Sequence, residues 1–432
     1  MLAENSNSHD LPYWLGYLES INPDHIDLGL DRVKKVIHAM GLDDFGDAKI
    51  IEIAGTNGKG STAAMISCEL EYNGILTGLY TSPHLVKFNE RITIGGKAVS
   101  DSLLCEAFEA VFSGKGDTPL TYFEFTTIAA LYCFKKAEVN VLVLEVGLGG
   151  RLDAVNALDA DIAVIASVGM DHMAILGDTL SKIAYEKAGI IKSKSSVVVG
   201  KVDQEVREII DRQIVSLGAE SAYYEGINFS VAPSEDGSTV EFINQDLGIS
   251  YQKKRPLLPV CCLGAAMKVI GILMRRFGFE IKNAPNEGLV YAFLPGRMQL
   301  CRQNPDIYLD VAHNVPAAAH LKDVVESREK RGRRIAVVGM LKDKDIEGVL
   351  GLLSSVFDSW FVASLHTARG EDSGRLYSAL TAGGVEKNKI SAYDSVREAL
   401  NSACNDAEKT DEIVVLGSFV TVAEASLALN VL

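Results

Sequence analysis

The sequence is poor in the features that mark secreted, disulfide-linked and zinc-binding proteins. Its seven cysteines are an odd number, with no C-x-x-C pair and no close His/Cys spacing. Residues 1–10 are polar and lack the basic start and apolar core of a secretory signal. We therefore expect reduced thiols and a cytoplasmic protein.

Positive charge is also scarce. Lysine and arginine number 42 against 57 aspartates and glutamates, which gives a formal net charge of −15 and a pI near 5.1. We therefore expect neither a nucleic acid nor a membrane surface as partner, and an anionic substrate would need a local cationic pocket. Residues 257–274 are almost without charge, but Pro259 and Lys268 interrupt them. This segment predicts a buried helix that begins after Pro259 rather than a membrane span.

The apolar runs predict the fold. At 432 residues, 47% of them apolar, the chain is long enough for two or three domains. Short aliphatic runs with little polar alternation are typical of strands buried on both faces of a parallel sheet. They cover 50–54, 139–146, 162–167, 197–199, 307–311, 335–338, 360–363 and 413–416. Segments of helical length, such as 61–73 and 317–327, lie between many of them, which predicts α/β architecture.

These runs fall into two sets, separated by residues 218–294, where the pattern is weaker. Residues 234–238 in that interval predict a turn or hairpin. We place a boundary near Leu294 and predict two domains, 1–293 and 294–432. Ligands of open α/β sheets bind beyond the carboxyl ends of the strands. Polar groups stand at those ends here, in the loop after Ala54, at Glu145, at Asp171-His172 and at 310–314.

A glycine-rich loop, Gly55-Thr56-Asn57-Gly58-Lys59-Gly60-Ser61, joins the first strand pattern to a helix pattern. In this context backbone N–H groups and a helix N-terminus bind phosphate, and Lys59 can reach the terminal phosphates. The loop departs from G-x-x-x-x-G-K-[ST], because Ile53 replaces the first glycine and Gly60 separates Lys59 from Ser61. A glycine-rich turn without nucleotide is the alternative. We predict a P-loop-containing parallel-sheet ATPase domain, followed by a smaller Rossmann-like α/β domain.

Other strand-end residues suggest a metal and an anion site. Glu145 beyond an apolar strand suits Mg²⁺, although a glutamate that caps the next helix is the alternative. His172 and Lys187 carry no distinguishing spacing, and imidazole is an uncommon Mg²⁺ ligand. Arg297 near the 310–314 segment suits phosphate or carboxylate recognition, with surface ion pairing as the alternative.

Together these residues resemble the Mur-ligase superfamily and, within it, the bifunctional dihydrofolate synthase/folylpolyglutamate synthase family. The resemblance extends from Ile26 to about Val422. Its signatures are 26–30, 54–61, 82–85, 120–125, 145–153, Asp171-His172, 186–190, 294–297, 310–314 and 339–345. In this family the phosphate loop with the extra glycine is the normal form.

The resemblance implies site residues and cofactors. ATP would contact Asn57, Gly58, Lys59, Gly60, Ser61, Arg297 and Asp310. Mg²⁺ would be held by Ser82, Glu145 and His172, and a carbamylated Lys187, with its N6 carboxylated, would help place a second Mg²⁺. Lys59, Lys187, Asp310 and His313 would be the catalytic residues.

The resemblance also implies the substrates, which are dihydropteroate, folates and L-glutamate, and a monomer. The pterin-binding positions would be Asp27, Leu28, Gly29, Thr121, Tyr122, Phe123, Glu124, Leu152, Asp153 and Ala154. There is one departure: the family often has an asparagine as an ATP contact where Gly264 opens Gly264-Ala265-Ala266.

The implied reaction is ATP-dependent amide ligation. A substrate carboxylate attacks the γ-phosphate, and glutamate then displaces phosphate from the acyl phosphate. Three alternatives remain at this point. They are a P-loop phosphotransferase or NTPase, a ligase with folylpolyglutamate synthase activity only, and a non-catalytic nucleotide-binding protein.

Overall fold

The computed structural model describes residues 9–21, 28–234, 238–245, 248–256, 258–281 and 287–431. Parts of the predicted turn at 234–238, and the first residue of the 257–274 segment, lie outside this range. The chain divides into two compact units, the first Met1–His84 with Asn89–Phe293 and the second Leu85–Phe88 with Leu294–Leu432. Leu85–Phe88 falls within the predicted first domain, but this segment groups with the second unit.

The first unit is built on an eight-stranded sheet in the order β4-β3-β2-β5-β1-β6-β7-β8. Neighbouring strands are parallel from β2 to β8, whereas β3 and β4 join antiparallel at one edge. Its central strands are aliphatic and almost wholly buried, as expected for a sheet covered on both faces. The strands are β1 (Lys49–Ala54), β2 (Thr77–Tyr80), β3 (Ile92–Ile94), β4 (Lys97–Ala98), β5 (Val141–Glu145), β6 (Ile162–Ile165), β7 (Ser196–Val199) and β8 (Ser221–Tyr224).

Helices connect these strands. Several begin at a side-chain cap, such as Ser100 before α4, Thr121 before α5 and Thr179 before α7, because a hydroxyl there accepts an otherwise unpaired backbone N–H. The helices are α1 (Leu11–Ser20), α2 (Asp31–Ala39), α3 (Lys59–Tyr72), α4 (Asp101–Gly114), α5 (Tyr122–Lys136), α6 (Met173–Leu176), α7 (Leu180–Ala188) and α8 (Gln204–Leu217). Short 3-10 helices in the chain span Phe88–Arg91, Ala154–Ala157, Gly288–Tyr291 and Lys387–Lys389.

A small antiparallel sheet, in the order β11-β10-β9, and a long helix complete the first unit. The elements are β9 (Phe229–Pro233), β10 (Thr239–Asn244), β11 (Ile249–Lys254) and α9 (Val260–Phe277). Strand β10 alternates between buried and half-buried residues, since only one face of this sheet is covered. Helix α9 begins directly after Pro259, as predicted. No helix in the described ranges has the length and apolar content needed to cross a bilayer.

The second unit has a six-stranded sheet in the order β12-β13-β17-β14-β15-β16, parallel except for β12 at the edge. Apolar helical faces pack on this sheet around a core that includes Trp360 and Leu350. The strands are β12 (Gln299–Arg302), β13 (Asp306–Leu309), β14 (Arg334–Val338), β15 (Ser359–Ala363), β16 (Ile390–Tyr393) and β17 (Glu412–Leu416). The helices are α10 (Val315–Glu326), α11 (Ile346–Leu353), α12 (Ser373–Ala382), α13 (Val396–Asp406) and α14 (Phe419–Leu429).

The predicted α/β class is confirmed. Each predicted aliphatic run forms a strand, and the segments 61–73 and 317–327 fall in α3 and α10 with ends shifted by a few residues. All seven cysteines are free. The antiparallel sheet β9-β10-β11 lies in the interval that the sequence analysis treats as weak in strand pattern.

Candidate active site

The glycine-rich loop connects β1 to α3, with Gly58 as the residue before the helix. Gly58 has φ +82°, a left-handed conformation that side-chain-bearing residues rarely adopt. A Cβ atom at Gly58 would also lie only 2.8 Å from Sγ of Cys262. Gly60 and Ser61 are buried in the first turn of α3, beside its unpaired N–H groups. The loop therefore has the strand-loop-helix form that binds phosphate.

Hydrogen bonds tie this loop to the chain that follows β6. The backbone N–H of Asn57 donates to Oγ of Ser167 at 3.0 Å, and that hydroxyl donates to the Asn57 carbonyl at 2.9 Å. Thr56 Oγ1 donates to the Gly169 carbonyl at 3.0 Å. Nζ of Lys59 donates to the Gly55 carbonyl at 3.1 Å, so the ammonium group folds over the loop. These hydrogen bonds hold the shape of the loop.

Three charged side chains, Lys59, Asp153 and Lys187, form what we call the loop cluster. Burial and, to a smaller extent, the positive charge of Lys59 lower the pKa of Lys187 to about 7, whereas Asp171 opposes the shift. Burial raises the pKa of Asp153 to about 7, against the opposing effects of N–H groups of Leu148 and Val155 and of Lys59. Charge is therefore costly on both buried members of the cluster.

The predicted metal ligands Ser82 and Glu145 lie together. The backbone N–H of Ser82 donates to Oε2 of Glu145 at 3.1 Å, and Glu145 is buried at the end of β5. Glu145 pairs in register with Ile53 of β1, close to the start of the phosphate loop. The third predicted ligand, His172, has φ +49°, and its Nε2 lies 3.9 Å from Oδ2 of Asp171.

The chemistry of this donor set fits Mg²⁺. Glu145 offers carboxylate oxygen and Ser82 a hydroxyl, which are ligands that the hard cation prefers. In the part of the chain that the structure describes, no three His, Cys, Asp or Glu side chains gather at one point. Such a gathering is not required, because Mg²⁺ usually keeps several waters and binds one or two carboxylates together with substrate phosphates.

The pterin-binding positions predicted in α5 have structural partners. Oγ1 of Thr121 accepts the N–H of Glu124, and the Glu124 carboxylate accepts the N–H of Thr121 at 2.7 Å, which forms a capping box. Nε of Arg32 also donates to both Glu124 oxygens, at 2.8 and 2.9 Å. The carboxylate of Glu124 therefore holds the start of α5 to Arg32, a residue that the sequence analysis did not single out.

Aromatic residues follow at the same helix start. The ring of Phe123 packs against Gly147, where an added Cβ would come within 2.5 Å of it. The guanidinium carbon of Arg91 lies 5.5 Å from the centre of the Tyr122 ring. Nε of Arg91 donates to Nδ1 of His84 at 2.7 Å. Arg91 and His84 are thus further polar residues near the predicted pterin positions, and no motif in the sequence marked their pairing.

The other predicted substrate positions differ in exposure. Asp153 is buried, Ala154 is buried at the start of a 3-10 helix, and Leu152 is half-buried. Leu28 is 37% exposed and Gly29 half-buried, whereas Asp27 lies outside the described residues. Their contact with a pterin remains a prediction.

In the second unit, Asp310 follows β13 and is held by backbone groups. Its Oδ2 accepts the N–H of Met298 and its Oδ1 accepts that of Ala312, each at 2.9 Å. Burial raises the pKa of Asp310, and the positive charge of Arg297 opposes the shift. Asp310 therefore fixes the turn that carries Arg297.

Arg297 and His313 share one aromatic neighbour, Phe419. The guanidinium carbon of Arg297 lies 5.4 Å from the Phe419 ring centre, and the His313 ring lies 6.2 Å from it. Nδ1–H of His313 donates to the Val311 carbonyl at 2.8 Å. In the neutral ring Nε2 is then the nitrogen that accepts hydrogen bonds. The structure thus brings the predicted second-unit residues together around a phenylalanine that the sequence did not indicate.

Two family descriptions match the chain. Residues 53–257 match the Mur ligase middle domain, and residues 296–419 match the Mur ligase, glutamate ligase domain. The first match covers the phosphate loop and its sheet, and the second covers Arg297, Asp310 and His313. The fold and the site therefore define the class of the protein as a Mur-type ligase.

Individual proteins that are similar to this chain identify its family within the Mur-type ligases. A dihydrofolate synthase/folylpolyglutamate synthase of Escherichia coli (strain K12) is 38% identical over 96% of this chain and 94% of its own length. The solved structure of E. coli FolC in complex with DHPP and ADP has a TM-score of 0.89 at 36% identity, covering 98% of each chain. The chain belongs to the dihydrofolate synthase/folylpolyglutamate synthase family, which confirms the resemblance.

A further solved structure is similar over the same extent. It is a bifunctional folylpolyglutamate synthase/dihydrofolate synthase with Mn, AMPPNP and L-glutamate bound, with a TM-score of 0.86 and 36% identity over 98% of each chain. The nucleotides and metal in these structures agree with the ATP and divalent cation predicted from the sequence.

Proposed function

We propose that the protein is an ATP-dependent ligase that joins L-glutamate to dihydropteroate and to folates. The observation that carries this proposal is the preformed phosphate loop, with Lys59 folded over it at 3.1 Å and two buried residues of perturbed pKa beside it. The names of the relatives, and the DHPP and L-glutamate bound in two of their structures, support this choice of substrates.

The charges around the loop suit the formation of an acyl phosphate, which is the first step of this ligation. A carboxylate oxygen of the pteroate or folate attacks the γ-phosphorus of ATP, the bond to the bridging oxygen of ADP breaks, and an acyl phosphate forms. Lys59 and the N–H groups at the start of α3 stabilise negative charge on the transferred group. The glutamate amine then attacks the acyl carbon, loses a proton and expels phosphate, leaving an amide.

Glu145 and Ser82, with His172 as the third predicted ligand, are the residues we propose for the divalent cation. A bound Mg²⁺ would neutralise phosphate charge during the transfer. Lys187 is suited to a different task, since burial favours its neutral amine. A neutral amine can add to CO₂ and lose a proton, which would convert Lys187 into a carboxylate able to help hold a second cation.

We assign nucleotide contacts in the second unit to Arg297 and Asp310, with His313 beside them. Arg297 has the planar guanidinium that suits phosphate oxygens, and the two N–H bonds to Asp310 hold its turn in place. We also propose that the protein acts as a cytoplasmic monomer, in keeping with its free cysteines.

One assay tests the proposal and separates its two activities. Purified protein, MgATP and L-glutamate are incubated with either dihydropteroate or tetrahydrofolate, and ADP and product masses are followed. We expect each acceptor to gain one glutamate residue per ADP formed in the first addition. Glutamylation of tetrahydrofolate alone would restrict the function to folylpolyglutamate synthesis. ADP release without glutamate, or a stable phosphorylated product, would favour a phosphotransferase or NTPase instead.

A further inference from the structure

Helix α9 begins beside the phosphate loop. Its Cys262 is buried, and Sγ lies 3.6 Å from the carbonyl oxygen of Gly58 with the geometry of an S–H donor. The same carbonyl accepts the N–H of Thr62 at 2.8 Å, the first backbone bond of α3. A carbonyl oxygen has two lone pairs, so both donors can bind it at once. Cys262 therefore contacts the residue at which the loop turns into the helix.

The family resemblance points to Gly264 as the position of α9 near the nucleotide, but the residue of α9 that contacts the loop is Cys262. A Cβ at Gly264 would meet Phe229 and Val231 of β9, each at 3.1 Å, so Gly264 faces the small antiparallel sheet. Residues two apart on a helix point in nearly opposite directions, because each residue turns the helix by about 100°. The position of α9 that can act on the nucleotide loop is thus Cys262 and not Gly264.

We propose that Cys262 is a positioning residue for nucleotide binding, which it serves by holding Gly58 in the conformation that aims the first N–H groups of α3 at phosphate. Its S–H bond fixes the Gly58 carbonyl, and its sulfur fills the space that a side chain at position 58 would need. Because glycine adopts many backbone conformations, Gly58 would leave the left-handed one easily unless its surroundings held it there. This inference deepens the proposed function and rests on the nucleotide use within it.

The neighbouring Cys261 provides a matched control. It is exposed, whereas Cys262 is buried, and as the next residue along the helix it belongs to a different face of α9. The variants are Cys262→Ala, which removes the donor, Cys262→Ser, which keeps one, and Cys261→Ala. Affinity for MgADP is measured by calorimetry, KM values for ATP and glutamate by steady-state kinetics, and folding by thermal unfolding.

We expect Cys262→Ala to weaken MgADP binding by about three- to fivefold, the loss of one weak neutral hydrogen bond. KM for ATP should rise by a similar factor, with KM for glutamate unchanged. Cys262→Ser should recover at least part of the loss, and Cys261→Ala should bind MgADP as the unaltered protein does. Unchanged binding by Cys262→Ala, or equal losses in the two alanine variants, would overturn the inference.

A second measurement needs no variant. MgADP should slow the reaction of N-ethylmaleimide with Cys262 more than its reaction with Cys133, which is fully buried in α5. Equal protection of both thiols would indicate general stabilisation and would contradict a role at the loop. The MgADP affinities and the N-ethylmaleimide reaction need no acceptor, so the inference can hold even if the ligase assay fails, and the two failures are distinguishable.

Discussion

The two units use the carboxyl ends of their parallel strands in different ways. In the first unit, the loop cluster buries Lys187 and Asp153, and burial shifts the pKa of each to about 7. In the second unit, burial also raises the pKa of Asp310, and each of its carboxylate oxygens accepts a backbone N–H at 2.9 Å. The oxygens of Asp153 are held in the same way, by the N–H groups of Leu148 and Val155 at 2.8 and 3.0 Å, whereas Lys187 owes its shift to burial and to the charge of Lys59. The charge of Arg297 further favours the ionised form of Asp310.

Lys187 therefore differs from the two aspartates, because Asp310 and Asp153 each hold backbone groups of the fold. Burying Lys187 beside another lysine stabilises nothing in the protein alone. The arrangement becomes favourable when a bound phosphate supplies negative charge, or when CO₂ converts the amine into a negatively charged carbamate. Asp310 instead holds a turn, and its removal would leave two buried N–H groups without their acceptor. Substitutions of the two lysines of the loop cluster should therefore affect activity, whereas those at Asp310 should affect stability as well.

The largest effect is expected at Lys59. Lys59→Ala removes the ammonium group that lies over the loop and should lower kcat by at least about 1,000-fold, because no other group replaces its charge on the transferred phosphoryl. Its thermal unfolding should be close to that of the unaltered protein. Lys182→Ala, which removes a lysine that is 62% exposed and paired with Asp178, is the matched control and should keep full activity. Substantial glutamate-dependent ADP release by Lys59→Ala would contradict the assignment.

Lys187→Met tests the second lysine of the loop cluster. Methionine keeps an unbranched apolar stem, so the variant should fold at least as stably, while kcat should fall by about 100-fold as the proposed carbamate and its cation are lost. Mass spectrometry and ¹³C NMR after exposure to labelled bicarbonate should detect the carbamate only when Lys187 is present. Full activity of Lys187→Met, together with an unmodified lysine in the active protein, would reject this role.

For Asp310→Asn we expect a loss of stability, which we do not expect for the two lysine variants. Asparagine keeps the shape, but its amide nitrogen cannot accept a hydrogen bond, so one of the N–H groups of Met298 and Ala312 loses its partner. The free energy of unfolding of the second unit should fall by about 1–3 kcal/mol. Urea unfolding monitored by Trp360, which is buried in that unit, would measure the change. Unchanged stability of Asp310→Asn would show that the carboxylate is not needed to hold the turn.

The smallest effect, measured over one pH unit, is the pH dependence of stability that Lys187 causes. The folded-state pKa of Lys187 is lowered to about 7 from an ordinary value of 10.5, so between these values the unfolded chain holds a proton that the folded protein lacks. The contribution of Lys187 to stability should therefore rise with pH across this window, by up to about 1.4 kcal/mol per pH unit.

Lys187→Met should flatten that rise, which urea unfolding at several pH values above 7 and without bicarbonate would measure. Asp153 is common to both proteins, so its own titration cancels in the difference. Parallel stability curves for the two proteins would show that Lys187 is not held neutral by burial.

The sequence predicted the parts of the fold that depend on continuous apolar runs. Strand β2 was not predicted because it is short and contains Gly78, where a side chain would come within 2.4 Å of Phe134. The strands β9 to β11 were not predicted because only one face of their sheet is buried, so no continuous apolar run appears. The need for glycine at position 78 arises from Phe134 of α5, and a local sequence pattern cannot show such a contact.

The same limit applies to the site. Loop residues from Gly55 to Ser61 are consecutive, so their pattern could be interpreted directly. Asn57 is held by Ser167, which is 110 residues away, and Gly58 by Cys262, which is 204 residues away. Such pairs become visible only when the sheet places β6 and α9 beside the loop. The pKa shifts of Asp153 and Lys187 likewise arise from burial that no spacing reveals.

The central claim is that the protein makes an amide through an acyl phosphate, and isotope transfer tests it most directly. Dihydropteroate carrying ¹⁸O in its carboxylate is converted with MgATP and L-glutamate, and the released phosphate is analysed by mass spectrometry. We predict one ¹⁸O atom in phosphate for each amide formed, because the attacking carboxylate oxygen leaves with phosphorus. Amide formation accompanied by phosphate that carries no ¹⁸O would contradict the account, because the lost carboxylate oxygen would then have left by another route.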